Sequence, residues 1–304
     1  MPEPPEAVVT LAEARAAARA AKDFTAADAL RERIAEQGWT VVDGPEGWRL
    51  ERVAAAPRRA DTVDSGGLGD VLDLPPDHDV SVQWVLDGWP EDVERALGAF
   101  RAVTGDRSVQ YVVVDVTGAA SDRWGRDVEI VSLWPGTGWA AARNAGLKRA
   151  RGRIVLAVDA SLESTGDVFG PLETALADDG VGICGPFGLV TQDLRRFDET
   201  IRPGDCDAIE GYLMAFRREV LTSIGLFDEK FSWYRSADLE WSFRVKDRGL
   251  RTVVVDVPVR RHEHRMWQQT SPEDRERLSK RNFYRFLDRW RGRWDLVQSG
   301  EPRR

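Results

Sequence analysis

From Val80 to Ser161 short apolar runs alternate with amphipathic stretches, and nothing else in the chain narrows its fold as far. VSVQWVL, VQYVVVDV, VEIVSL and GRIVLAVDAS are short, rich in β-branched residues and largely apolar. Runs of that kind read as strands covered on both faces. Between them lie PEDVERALGAFRAV, with Pro90 suited to a first helical turn, and the helix former GWAAARNAGLKRA. Strands alternating with helices predict an α/β fold with a mostly parallel, doubly wound sheet. Further strand–helix units follow around GICGPFGLV and YLMAFRREVLTSIG, then a late strand in RTVVVDVPVRRHEH and a basic helical tail from Ser271. Phe283, Tyr284, Phe286 and Trp290 in the tail recur at helical spacing, which predicts core packing rather than a binding face.

In sheets of this type ligands bind beyond the carboxyl ends of the strands. IVLAV delivers Asp159 to such an end, and VQYVVV delivers Asp115 to another. Arg143 and Asn144 sit in the middle of the helix that precedes Asp159. Asn is a poor interior helix residue, so its place there implies a specific hydrogen bond. An Arg, an Asn and an Asp around one crossover suit a phosphate-bearing ligand with its counter-ion. Farther along, Ser236 can cap a helix that carries Asp238 and Glu240 in its first turn, flanked by Trp233, Tyr234 and Trp241, which could shape a sugar pocket. The helix dipole favours such acids without any chemistry. His262 and His264, two apart on a predicted strand, share a face beside Arg260, Arg261 and Arg265, and those arginines could themselves neutralise a diphosphate. Gly211 permits close backbone approach, and Asp228 reads as a turn residue.

At 304 residues there is room for one full α/β domain and a small second one. The net charge of −8 argues against a general nucleic-acid binder, and two cysteines, Cys184 and Cys206, give neither a disulfide framework nor a zinc cluster. No apolar run approaches the roughly 18 residues of a membrane span, so the expectation is a cytoplasmic protein, or one peripheral at the inner membrane face. Residues 1–53 predict a helical hairpin followed by a β-hairpin, with Thr25 capping the second helix, Gly38 ending it and DGPEG as the turn. Residues 54–79 read as a linker to a domain over 80–304.

EARAAARAAKDFTAADALRERIAEQGWTVVDGPEGWRL resembles the C-terminal tail module of cysteinyl-tRNA synthetases. The synthetase catalytic domain is absent from that resemblance, which therefore does not imply aminoacylation. Ten acidic against seven basic residues in positions 1–53 favour a docking or self-association module over a tRNA binder.

Five motifs from about residue 80 to 290, taken in order, resemble the family 2 glycosyltransferases of the GT-A fold: VSVQWVLDGWPEDVERAL, VVVDVTG, AAARNAGLKRARGRIVLAVDAS, GYLMAFRREVLTSIGLFDEKF and DLEWSFRVKDRG. The resemblance implies an inverting transfer from a nucleotide-diphosphate sugar to an acceptor hydroxyl, with a glycan or lipid-linked acceptor in the cell envelope. It makes Asp115 the contact to the base, places Arg143 and Asn144 by the nucleotide, and makes Asp159 a ligand of Mg²⁺ or Mn²⁺. It makes Asp238 the general base, puts Gly211, Trp233, Glu240 and Trp241 on the acceptor side, and lets His262 or His264 complete the metal site. The family's second metal acid is replaced here by Ser161. A catalytically inactive scaffold is the alternative, and convergence of Asp159, Asp238 and the histidines on one cleft is the feature that separates the two.

Overall fold

A computed structural model of the chain describes residues 4–37, 39–44, 47–52, 63–118 and 124–299. The chain divides into Met1–Arg58 and Arg59–Arg304.

In the first unit the Ala-rich run forms α1 (Glu6–Ala20), followed by α2 (Phe24–Glu36) and the antiparallel pair β1 (Trp39–Gly44) and β2 (Gly47–Arg52). Val8, Ala12, Ile34, Trp39 and Val41 form its core. Arg15, almost fully buried, donates to both carboxylate oxygens of Asp43 at 3.0 and 2.8 Å and so ties α1 to the hairpin. The cap of α2 is Asp23, whose Oδ1 accepts from Ala26 N at 3.0 Å, rather than the expected Thr25. The helix begins at Phe24, two residues before the position a cap at Thr25 would require, so the Asp23 side chain reaches the amide of the third helical residue. Gly38 and part of the DGPEG turn lie outside the described residues.

The second unit runs β3 (His78–Leu86), α3 (Pro90–Ala102), β4 (Val109–Asp115), β5 (Val128–Ser132), α4 (Trp139–Lys148), β6 (Gly152–Val158) and β7 (Leu162–Ser164). It continues through α5 (Phe169–Leu176), β8 (Val181–Gly185), β9 (Gly188–Thr191), β10 (Phe197–Thr200), β11 (Gly204–Asp205), β12 (Ala208–Ile209), β13 (Leu213–Arg217) and α6 (Glu219–Ile224). The last elements are α7 (Ala237–Asp247), β14 (Arg251–Val254), β15 (Val259–Arg261), α8 (Arg265–Gln269) and α9 (Pro272–Trp290).

The main sheet has the order β11-β14-β8-β13-β6-β3-β4-β5. Pairings β6–β3, β3–β4, β4–β5 and β14–β8 are parallel, whereas β13 runs antiparallel to both neighbours. Alternation along the strands explains the cover on both faces. Tyr111 and Val113 of β4 and Leu156 and Val158 of β6 pack in the core that includes Val93, Leu97 and Phe100 of α3. Val112 and Val114 pack instead on Ala142 and Ala145 of α4, and Val155 and Ala157 on the side that holds Leu147 and Trp241. The late strand read as one piece is two, β14 in the main sheet and β15 paired with β7. Pro258, which has no N–H to donate, lies between them.

Residues 63–77, expected as linker, are fastened to this unit. Val63 bridges to Leu133, Val71 N donates to Lys148 O at 2.9 Å, and the buried Arg218 guanidinium donates to the carbonyls of Leu72 and Leu74. The low-complexity composition hid this because backbone groups make most of the contacts. In the tail, Phe286 and Trp290 are core residues as expected, whereas Tyr284 is 51% exposed.

Candidate active site

Three parallel strands each deliver an acid to the same sheet edge: β3 leads into Asp87, β4 ends at Asp115, and β6 leads into Asp159. A cleft of about 480 Å³ opens there, and Asp159, Glu210, Gly211, Tyr212, Asp238 and His264 line it with Trp139 and Tyr234. A narrow extension shares Trp139, Asp159 and His264 with the cleft and reaches Asp87, Arg143 and Ser161. Asp159, Asp238 and His264 thus meet at one cleft, although they are more than a hundred residues apart along part of the chain.

Asp159 is held from both sides. Its Oδ1 accepts from Ser161 N at 2.8 Å and Ser161 Oγ at 2.5 Å, and its Oδ2 lies 3.4 Å from His264 Nε2. Burial alone would raise its pKa, yet the imidazole and the two Ser161 donors hold the carboxyl below the usual range. Burial also opposes the charged form of His264, but Asp159 outweighs it and the net shift is upward. The His264 ring stacks on Tyr234 at 4.4 Å between centroids, and its Nδ1 receives Trp267 N–H at 3.3 Å. His262 leaves in another direction, with Nε2 2.6 Å from Glu163. The shared face expected of the two histidines fails because β15 stops at Arg261, before either of them.

Asp87 is a site residue that the motif reading missed. Burial, and then the nearby Asp159 charge, push its pKa up to about 7. Its sequence signal was the one used for Asp115 and Asp159, an acid where an apolar strand ends. Arg143 lies beneath the site, 1% exposed, with Nη1 donating to Val158 O at 3.0 Å. Its guanidinium sits over the Trp139 ring at 5.2 Å, and burial pulls its pKa down to about 10. It therefore supports the floor with positive charge rather than projecting into the cleft.

Asp238 stands in the first turn of α7. Oδ2 accepts from Gly211 N at 2.9 Å and Oδ1 from Leu239 N at 2.9 Å. Burial raises its pKa, and the two amides oppose that shift. Ser236 does not cap the helix through its side chain; it adopts a left-handed backbone with φ of 66°. A Cβ on Gly211 would lie 3.6 Å from Asp238 Oδ2, an ordinary contact, so that position supplies its amide rather than space. Glu210, also missed, places a buried, unpartnered Oε2 beside Asp238. Burial first, then Asp238 and Glu199, push its pKa up to about 8.

Several expected site residues work elsewhere. Asn144 Oδ1 accepts from Phe227 N at 2.9 Å while Nδ2 donates to Phe227 O at 2.9 Å and to Glu229 at 3.1 Å. That buried amide pins the turn before α7 onto α4. Glu240 is 2% exposed and forms ion pairs with Arg244 and Arg289 at 2.9 and 2.8 Å. Trp241 is buried, donates to Gly225 O at 2.9 Å and stacks on Phe227. Trp233, 8% exposed, lies against Tyr234, which itself lines the cleft. Asp115, by contrast, keeps its place at the sheet edge: it is fully buried, and its Oδ1 accepts from Thr117 N and Oγ1 at 2.8 and 2.7 Å and from Gly118 N at 3.2 Å. Asp228 is the turn residue expected, accepting from Lys230 N at 3.0 Å.

A divalent cation fits this donor set as a shared ion rather than a caged one. Asp159 and Asp87 make a surplus of negative charge that a cation would relieve, and His264 adds a nitrogen donor. Among the described residues no group of three or more His, Cys, Asp or Glu side chains converges on one point. Oxygen atoms of a bound diphosphate would have to complete the coordination.

Comparison with known proteins bears on the fold and on what the two segments resemble. Residues 106–240 match Glycosyl transferase family 2, and residues 1–48 match the Cysteinyl-tRNA ligase anticodon binding domain. The N-terminal segment is 53% identical over 49 residues to a cysteine–tRNA ligase of Opitutus terrae, covering 16% of this chain and 11% of that protein. A crystal structure of GalNAc-T7 with UDP, GalNAc and Mn²⁺ superposes with a TM-score of 0.57 at 18% identity, over 72% of this chain and 49% of that one. The mannosyltransferase PcManGT from Pyrobaculum calidifontis, solved with GDP-Man and Mn²⁺, gives 0.46 at 18% identity over 77% and 75%. The chain therefore spans about a tenth of the curated relative it matches and about half of GalNAc-T7. The fold is thus of the GT-A type, residues 106–240 are similar to the family 2 glycosyltransferases, and the N-terminal segment is similar to the cysteinyl-tRNA ligase anticodon binding domain.

Proposed function

We propose that this chain is an inverting glycosyltransferase that moves a sugar from a nucleoside-diphosphate donor to an acceptor hydroxyl. The observation that carries the reading is the meeting of Asp159, Asp238 and His264 at one cleft of a family 2 domain. An inactive scaffold would have no need to keep these groups together.

Asp238 would take the proton of the acceptor hydroxyl. The Gly211 and Leu239 amides fix the carboxylate's orientation, and burial raises its basicity, which suits a general base. The freed oxygen pair would attack the anomeric carbon as its bond to the diphosphate breaks, and a single displacement inverts that carbon. Asp159 and His264 would hold Mg²⁺ or Mn²⁺ together with diphosphate oxygens. Such an ion neutralises charge growing on the leaving group. Arg143 adds positive charge from below, within the low-dielectric floor. Asp115 and Asp87, at the ends of β4 and β3, would face the nucleoside.

Thermal-shift titration against a panel of nucleotide sugars, with and without Mn²⁺, tests this. One donor should stabilise the protein, and Asp159→Asn should abolish the effect while leaving the unliganded melting temperature near that of the parent. No response to any donor would sink the reading. For the N-terminal unit we propose docking or self-association, since its acidic balance lacks the cations that phosphate contacts need. A gel shift with tRNA at physiological salt would overturn that assignment.

A further inference from the structure

The outer part of the cleft carries positive charge that the transfer chemistry does not use. Arg195 comes from the turn between β9 and β10, Arg235 from just before α7, and Lys280 from α9; all three are exposed and line the cleft. Leu189, Phe197 and Phe283 supply an apolar wall beside them. Neither Arg195 nor Lys280 has an ion-pair partner among the described residues, and Arg235 sits over the Trp267 ring at 5.5 Å. Asp238 offsets part of the Arg235 charge, but no lining acid pairs with Arg195 or Lys280 among the described residues. Glu199 lies 3.6 Å from Arg261, and Glu210, pushed up to about 8, is mostly uncharged at neutral pH. Three cations from three separate elements at one mouth attract anions, and guanidinium groups match phosphate or carboxylate with paired hydrogen bonds.

We propose that this part of the cleft is an acceptor subsite for a hydroxyl compound bearing an anionic group (phosphate, sulfate or carboxylate). Arg195, Arg235 and Lys280 would hold the anion, and Leu189, Phe197 and Phe283 would take an apolar or ring face. The inference rests on the glycosyl-transfer reading above. The donor's own diphosphate is the rival claimant for these cations. Against it, the narrow extension to Asp87 and Arg143 opens from the Asp159 and His264 side of the cleft, and none of the three cations lines it.

Isothermal titration with phenyl phosphate, and with phenyl β-glucoside as its neutral counterpart, tests the subsite in the full chain with a nucleoside diphosphate present at saturation. The parent should bind phenyl phosphate more tightly than the glucoside, with an affinity that falls as salt rises. Arg195→Gln combined with Lys280→Gln should weaken phenyl phosphate at least fivefold while nucleoside-diphosphate affinity stays within twofold. Sedimentation with phosphatidic acid vesicles but not phosphatidylcholine vesicles would make the anion lipid-borne, and phenyl phosphate binding without it a soluble one. Either supports the subsite. Equal binding of both phenyl compounds, or a parent that binds neither, overturns it. So does loss of the nucleoside diphosphate in the double variant, which would give the cations to the donor. A parent that binds no nucleoside diphosphate fails the transferase reading instead, and the phenyl titrations are then read without one.

Discussion

A carboxylate that accepts two backbone amides is held still, and Asp238 combines that restraint with burial that raises its basicity. Replacing it by Asn keeps the shape and removes the proton acceptor. Asp238→Asn should lower kcat by about 10²- to 10⁴-fold, in the range of general-base catalysis, with donor affinity unchanged in the same thermal-shift assay. Unchanged turnover would give the base role to another group. The neighbouring Glu210 makes a different prediction. Its pKa rises from the ordinary 4.5 to about 8, so between those values the folded chain keeps a proton that the unfolded chain has lost. Stability must then fall as pH rises through that window. Glu210→Gln should flatten this fall in urea midpoints measured from pH 5 to 8, and an unaltered slope would refute the shift. The position of Asp159 was legible because it ends an apolar strand, and that of Asp238 because the motif DLEWSFRVKDRG resembles the family's. Asp87 carried the same strand-end signal as Asp159. Glu210 carried none, since only the fold brings residue 210 against residue 238.

At the scale of elements, long apolar strands such as β3, β4 and β6 announce themselves, whereas β9 to β12, of two to four residues each, leave no period to read. Yet those short strands carry the chain from β8 to the antiparallel β13 and present Arg195 and Glu210 to the cleft. Helical geometry also explains the misplaced residues of α7. Glu240 lies about 200° around the helix from Asp238, so it faces α9 and pairs with Arg289 instead of facing the cleft. The interior place of Asn144 implied a specific hydrogen bond, and the family resemblance put that bond by the nucleotide. The bond exists, but its partner is the Phe227 backbone. Asn144→Ala would leave a buried N–H and C=O without partners. It should cost about 2–3 kcal/mol in chemical denaturation. Donor affinity of the folded variant should not change, and a selective loss of that affinity with full stability would restore the nucleotide role.

Across the whole molecule, every residue assigned to the cleft comes from Arg59–Arg304, and the first unit has a separate small core around Val8, Ile34 and Trp39. Domains of fewer than about 60 residues bury a smaller share of their surface and are correspondingly marginal. The two units should therefore melt separately, the first at lower temperature, in a calorimetric scan of the full chain. Sequence resemblance made the N-terminal module recognisable, whereas composition concealed where the second unit starts, because residues 63–77 look like linker and are fastened to that unit largely through backbone groups. A truncation meant to isolate the second unit must keep them. A chain starting at Arg59 should keep donor stabilisation and turnover within about twofold of the parent, whereas one starting at Val80 should lose stability through the lost partners of the buried Arg218. If removal of residues 1–58 abolishes turnover while the remaining chain stays folded by circular dichroism, the first unit contributes to the reaction itself, and its assignment as a docking module fails.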